Sequence, residues 1–241
     1  MSPPTIAQPT RLPREKVRPR FYLGMALFMS AIVFIGFAPT YYLKAYTGSG
    51  ALSPLVHLHG IVFTSWMLVF CVQALLVARS RTHLHRRLGI ATVALAVVIL
   101  VVGTATGIAA ARRGHDPTGA GDPLAFLSVP MGDMVFFALL FGMAFHYRSN
   151  VEVHKRLMLL TTLNLLTAAI GRLPLIGESP LFVASSYAGI LLIGPLYDCL
   201  WLGKVYPLYW AGTAALFLSA LGRFQVGKTQ AWHTFARWLV E

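Results

Sequence analysis

Residues Pro54 to Gly89 read PLVHLHGIVFTSWMLVFCVQALLVARSRTHLHRRLG. An apolar run carries a His-x-His pair at each end, His57 with His59 and His83 with His85, the second followed by Arg86 and Arg87. No charged residue interrupts the run before Arg79. At about 1.5 Å per helical residue it crosses a hydrocarbon core of about 30 Å. The stretch therefore predicts one transmembrane helix with histidines near both faces of a bilayer.

Working outward, the whole chain has the composition of an integral membrane protein. Of its 241 residues 56% are hydrophobic and only 12% charged, against about 25% charged in soluble domains. Mean hydropathy is +0.66. The two cysteines, Cys71 and Cys199, lie inside apolar runs, which argues against a disulfide framework or a zinc ribbon. The net charge of +12 sits in short turns between apolar runs. Topology and anionic lipid explain such clusters better than nucleic acid does, so membrane lipid is the expected partner.

Seven apolar runs predict an all-α, seven-span bundle over residues 21–226: Phe21 to Pro39, Pro54 to Ala78, Leu88 to Ala111, Pro123 to Tyr147, Leu157 to Ile176, Pro180 to Gly203 and Val205 to Phe224. A basic, Pro-rich arm precedes them at 1–20, expected to be disordered or surface-lying. No small-residue cleavage site follows the first run, so it is expected to stay as a helix. A tail at 227–241 spaces Trp232, Phe235, Trp238 and Leu239 as a short amphipathic interfacial helix. The arm, the turns after runs two and four and Lys204 hold 13 of the 20 Lys and Arg. The positive-inside rule then gives N-terminus in and C-terminus out. A faint repeat, His85-Arg-Arg-Leu and His154-Lys-Arg-Leu, opens the third and fifth runs, with Lys204-Val-Tyr206-Pro at the comparable later place.

On this topology the polar residues sort by depth. His83, His85, Gln73, His146, His154, Tyr197 and Asp198 fall at the inner face. His57, His59, Asp133 and Arg172 fall toward the outer face, with Asn164 near the middle and His115 and His233 in the outer loop and tail. His85, His146 and His154 are expected to converge, with Asp198 as a fourth or orienting group. Three imidazoles and a carboxylate suit a transition metal, and two facing imidazoles suit a haem b iron. Solvated histidines at helix ends are the plainer alternative. Arg86, Arg87, Lys155 and Arg156 would favour haem propionates over a bare divalent cation. Asp133 is expected to pair with Arg172, because an unpaired charge at that depth is costly. His57 and His59 point to opposite sides of a helix, so only one faces the bundle. Gly103, Thr104, Thr106 and Gly107 form a small-residue stripe, for close packing or dimerisation.

The pattern His59-Gly60, Gln73, His85 to Gly89, together with His154 to Met158, resembles a group of uncharacterised multi-pass bacterial membrane proteins. Their histidine pattern is similar to that of transmembrane di-haem cytochromes b of the ascorbate-reducible type. The resemblance spans roughly residues 54 to 200. It implies haems each held by two histidines on neighbouring helices. The outer half offers no second histidine to His59 on another helix, so at most one haem, at the inner face, follows. Tyr206 stands where relatives would carry a histidine. The functions open at this stage are electron transfer through haem or metal, an accessory subunit of a larger membrane complex, and a proton or small-molecule transporter. The transporter reading ranks last because neither an inverted repeat nor a broken helix pair is visible. A retinal receptor is disfavoured, because the seventh run has no central lysine.

Overall fold

The computed structural model describes residues 19–48, 50–116, 121–177 and 179–241. The arm expected at 1–20 lies outside them, apart from its last two residues. Among the described residues the chain is all-helical, with no strand. In chain order the helices are α1 (Pro19–Phe37), α2 (Lys44–Thr47), α3 (Pro54–Ala78), α4 (Thr82–Arg112), α5 (Pro123–His146), α6 (Val151–Asn164), α7 (Thr167–Ile170), α8 (Pro180–Leu202), α9 (Pro207–Gly227) and α10 (Gln230–Val240). A π-helical turn, Ala38–Tyr42, extends α1 through Pro39.

Local chemistry sets the ends. Pro54, Pro123, Pro180 and Pro207 open α3, α5, α8 and α9, where a missing N–H costs nothing. Side chains of Ser53, Asp122, Asn150 and Thr229 accept backbone N–H bonds from the residue three further on, capping α3, α5, α6 and α10. Gly203 ends α8 with φ of 62°, a conformation that suits glycine.

Five segments are long and apolar enough to cross a membrane: Arg20–Tyr42, Pro54–Ala78, Thr82–Arg112, Pro123–His146 and Pro180–Leu202. Their outward faces are apolar, with Leu68, Ile90, Val101 and Leu181 all more than 60% exposed. The other two expected spans differ for physical reasons. The fifth run is interrupted: the N–H groups of Leu165 and Leu166 reach back three residues, to the carbonyls of Thr162 and Leu163 (both 3.1 Å). The run is therefore split into α6 and α7. The seventh run, α9, has 21 residues but carries Arg223 and Gln225 among its apolar side chains. The helix expected from Leu88 begins six residues earlier, at Thr82, so His83 and His85 are helical.

The core sits around α6. Leu157, Leu159, Leu160 and Leu163 are essentially inaccessible, as are Trp66 of α3 and Phe137 of α5. Trp66 Nε1–H donates to Thr162 Oγ1 (3.3 Å), tying α3 to α6. The small-residue stripe of α4 serves packing within the chain: Gly103 lies against Met134 and Gly107 against Pro130 and Met131 of α5. Gly36 of α1 meets the backbone of Ala169 in α7, an approach that a Cβ would block. Helix α10 lies across α4 and α5, with Trp232 Nε1–H donating to the Leu124 carbonyl (2.7 Å), while Phe235 and Trp238 stay exposed.

Candidate functional site

Two of the three inner histidines meet. His85, in the first turns of α4, and His154, in the first turn of α6, have ring centres 6.2 Å apart and ring planes 76° apart. His154 Nδ1–H donates to the Ala144 carbonyl at the end of α5 (2.8 Å). A carbonyl only accepts, so His154 keeps a bare Nε2 in its neutral form. Gln73 of α3 supports His85. With both ends of its amide satisfied, its nitrogen donates to His85 Nδ1 (2.6 Å) and to the His85 carbonyl (3.2 Å), and its oxygen accepts from Gly89 N–H (3.1 Å). That orientation places the proton of a neutral His85 on Nε2. The reversed amide puts its oxygen beside Nδ1, holds the proton there and frees Nε2 as a ligand.

The rest of the expected inner set does not join them. His146 is exposed and lies edge-on to Tyr147 (4.8 Å). Asp198 is buried and accepts from Arg156 Nε (2.6 Å). Arg156, 3% exposed, also binds Glu152 through Nη1 (2.6 Å) and lies over the Tyr206 ring (3.3 Å). Lys155 pairs with Glu152 as well (2.7 Å). Lys155 and Arg156 are thus occupied, leaving exposed Arg86 and Arg87 for a second anionic group. Among the described residues no three His, Cys, Asp or Glu side chains gather closely enough to hold a metal ion. The four-ligand metal set, His85, His146, His154 and Asp198, is therefore not assembled.

The outer half departs from expectation too. Asp133 pairs with Arg223 of α9, not with Arg172. Arg223 Nη2 also donates to Asn164 Oδ1 (3.3 Å), and Asn164 Nδ2 donates to the Asp133 carbonyl (2.8 Å). Gly132 makes the room, since a Cβ there would stand 2.6 Å from Arg223 Cδ. Arg172 is exposed, donates to the Ala168 carbonyl (2.7 Å) and lies over Phe37 (4.9 Å). Of the outer histidines His59 is the more buried, stacked on Phe63 (4.1 Å) with Nδ1 lacking a partner among the described residues. His57 is exposed beside Tyr41. Arg223 is the functional candidate that sequence reasoning missed. An arginine inside an apolar run was the signal.

No protein-family profile, no curated protein and no solved structure matches this chain.

Proposed function

We propose that the chain is a seven-span protein of the bacterial inner membrane, N-terminus in and C-terminus out. It holds one haem b between His85 and His154 and serves electron transfer. The observation that carries this reading is the facing histidine pair. Two imidazoles on opposite sides of one iron place their ring centres roughly 6 Å apart, given about 2.0 Å for each metal–nitrogen bond. The observed separation is 6.2 Å. A bare ion needs three or more protein ligands, whereas a haem iron needs two. Ala144 accepts from His154 Nδ1 and so leaves its Nε2 free to ligate, whereas the Gln73 amide beside His85 Nδ1 would leave that ring's Nε2 free with its oxygen turned to Nδ1. Arg86 and Arg87 supply positive charge for propionates. Bound there, haem b supplies one-electron oxidation and reduction. The protein's residues orient it and keep it at the inner ends of α4 and α6.

Seven spans follow when the two less apolar runs are counted. Residues 151–170 span about 30 Å and α9 about 31 Å, at about 1.5 Å per residue. The Arg223 charge that lowers the hydropathy of α9 is neutralised by Asp133.

The test is the absorbance spectrum of protein purified in detergent, air-oxidised and then reduced with dithionite. The parent and His146→Ala are expected to show a Soret band and a sharp reduced α band. His85→Ala and His154→Ala should each lose them while keeping helical circular dichroism. A colourless, haem-free parent, or unchanged spectra in both ligand variants, would sink the reading in favour of an accessory subunit without chemistry.

A further inference from the structure

The turn between α3 and α4 carries charge that nothing in the described chain neutralises. Arg79, Arg81, Arg86 and Arg87 all lie there, and all are exposed. Among the described residues none of their side chains makes a hydrogen bond or an ion pair. The acids are committed elsewhere. Glu152 faces Lys155 and Arg156, Asp198 faces Arg156, Asp133 faces Arg223 and Asp122 lies against His233. Asp116 follows the C-terminal end of α4 and accepts the N–H groups of Gly121 (2.8 Å) and Asp122 (3.2 Å). Glu241 stands at that end too, because Arg112 of α4 donates to the Val240 carbonyl (2.6 Å). A positive cluster with no counter-charge in reach draws an anion from outside the chain.

The helix faces beside the turn say which anion. Leu68 and Val72 are exposed on α3, and Arg79 follows Val72 by two helical turns, on the same side. Ile90, Val97 and Val101 are exposed along one side of α4, and Arg86 stands one turn before Ile90. Arg81 lies where the two strips meet, directly before α4. Both helices are long and apolar enough to cross a membrane, and they pack against each other. A cationic end above apolar strips is the complement of an amphiphile with an anionic head. A small soluble anion would leave the strips unused. An acidic protein would compete with hydrocarbon for them.

We propose that Arg79 and Arg81 hold the phosphate of an anionic phospholipid of the phosphatidylglycerol type, with its acyl chains along the exposed apolar faces of α3 and α4. The guanidinium fork presents paired N–H donors that match phosphate oxygens. A zwitterionic lipid carries the same phosphate but brings its own cation, so the turn prefers a lipid with net negative charge. A basic residue near an anionic lipid surface is worth about fivefold in affinity, and two compound to roughly twenty-fivefold. Arg86 and Arg87 stay free for propionates, so the site does not depend on the haem reading.

The test uses full-length protein in detergent, mixed with equal amounts of dioleoyl phosphatidylglycerol and dioleoyl phosphatidylcholine. Native mass spectrometry counts the lipid retained. The parent should retain phosphatidylglycerol over phosphatidylcholine by roughly tenfold or more. Arg79→Gln with Arg81→Gln should lose most of that preference. Lys228→Gln with Arg237→Gln removes the same charge beside α10, beyond the far end of α4, and should keep it. Both pairs are exposed, so the variants are expected to fold, checked by circular dichroism and melting temperature. Excess inorganic phosphate should leave the lipid in place. Equal retention of the two lipids by the parent, an unchanged preference without Arg79 and Arg81, an equal loss in both variant pairs, or displacement by inorganic phosphate would overturn the proposal.

Discussion

At the residue scale the deciding pair is Asp133 and Arg223. Asp133 stood out in the sequence because an acid inside an apolar run needs a partner. Counting depth along helices favoured Arg172 and overlooked how an arginine side chain leans. Helical side chains tilt toward the N-terminus, so Arg223 near the C-terminal end of α9 reaches back to Asp133 and Asn164. Arg172, in the turn after α7, folds instead onto Phe37. Asp133→Ala is expected to destabilise the folded protein by about 3–5 kcal/mol, because it strands a buried guanidinium. Adding Arg223→Met should recover much of that loss, whereas adding Arg172→Ala should not. Thermal unfolding of Asp133→Ala, of Arg223→Met alone and of the two double variants in one detergent checks this, and simple additivity of Asp133→Ala with Arg223→Met would show that the pair does not exist. His146 and Asp198 teach a related lesson. Equal depth placed them with His85 and His154, but rotation about the helix axis turned His146 to the surface, and Arg156 took Asp198.

At the element scale, the apolar runs of the sequence coincide closely with α1, α3, α4, α5 and α8 because hydropathy and helix-opening prolines mark the same boundaries. The break at Leu165 and Leu166 was not legible. Neither glycine nor proline marks it, and the run Leu163-Asn164-Leu165-Leu166-Thr167 reads as ordinary helix. What distinguishes it is tertiary: Asn164 is fully buried and bonds Asp133 and Arg223. The extension of α4 back to Thr82 was hidden by its charged first turns, which composition assigns to a loop. Whether α6 with α7 and α9 both cross the bilayer has a direct check. Reporter fusions at Gly121 and after Glu241 should both report the outer side. A cytoplasmic signal after Glu241 would mean that one of these two runs does not cross.

At the scale of the whole molecule, the bundle is organised around α6, which carries His154 and Arg156 near its N-terminal end and Asn164 at its C-terminal end. Helices α3, α4 and α5 bring Gln73, His85 and Ala144 to its N-terminal end, and α5 and α9 bring the Asp133–Arg223 pair to its C-terminal end. The sequence announced an all-helical membrane architecture through composition alone. Which histidines would meet depended on how the helices turn about their axes, and apolar runs with little amphipathic character say little about that. The central proposal is that His85 and His154, whose ring planes stand 76° apart, would together hold one haem b. Electron paramagnetic resonance of the oxidised, purified protein tests it most directly, because the angle between axial imidazole planes governs the anisotropy of a low-spin ferric signal. Nearly perpendicular rings predict a strongly anisotropic low-spin signal, present in the parent and in His146→Ala and absent from His154→Ala. A rhombic low-spin signal, a purely high-spin one, or no ferric haem signal at all would contradict the account.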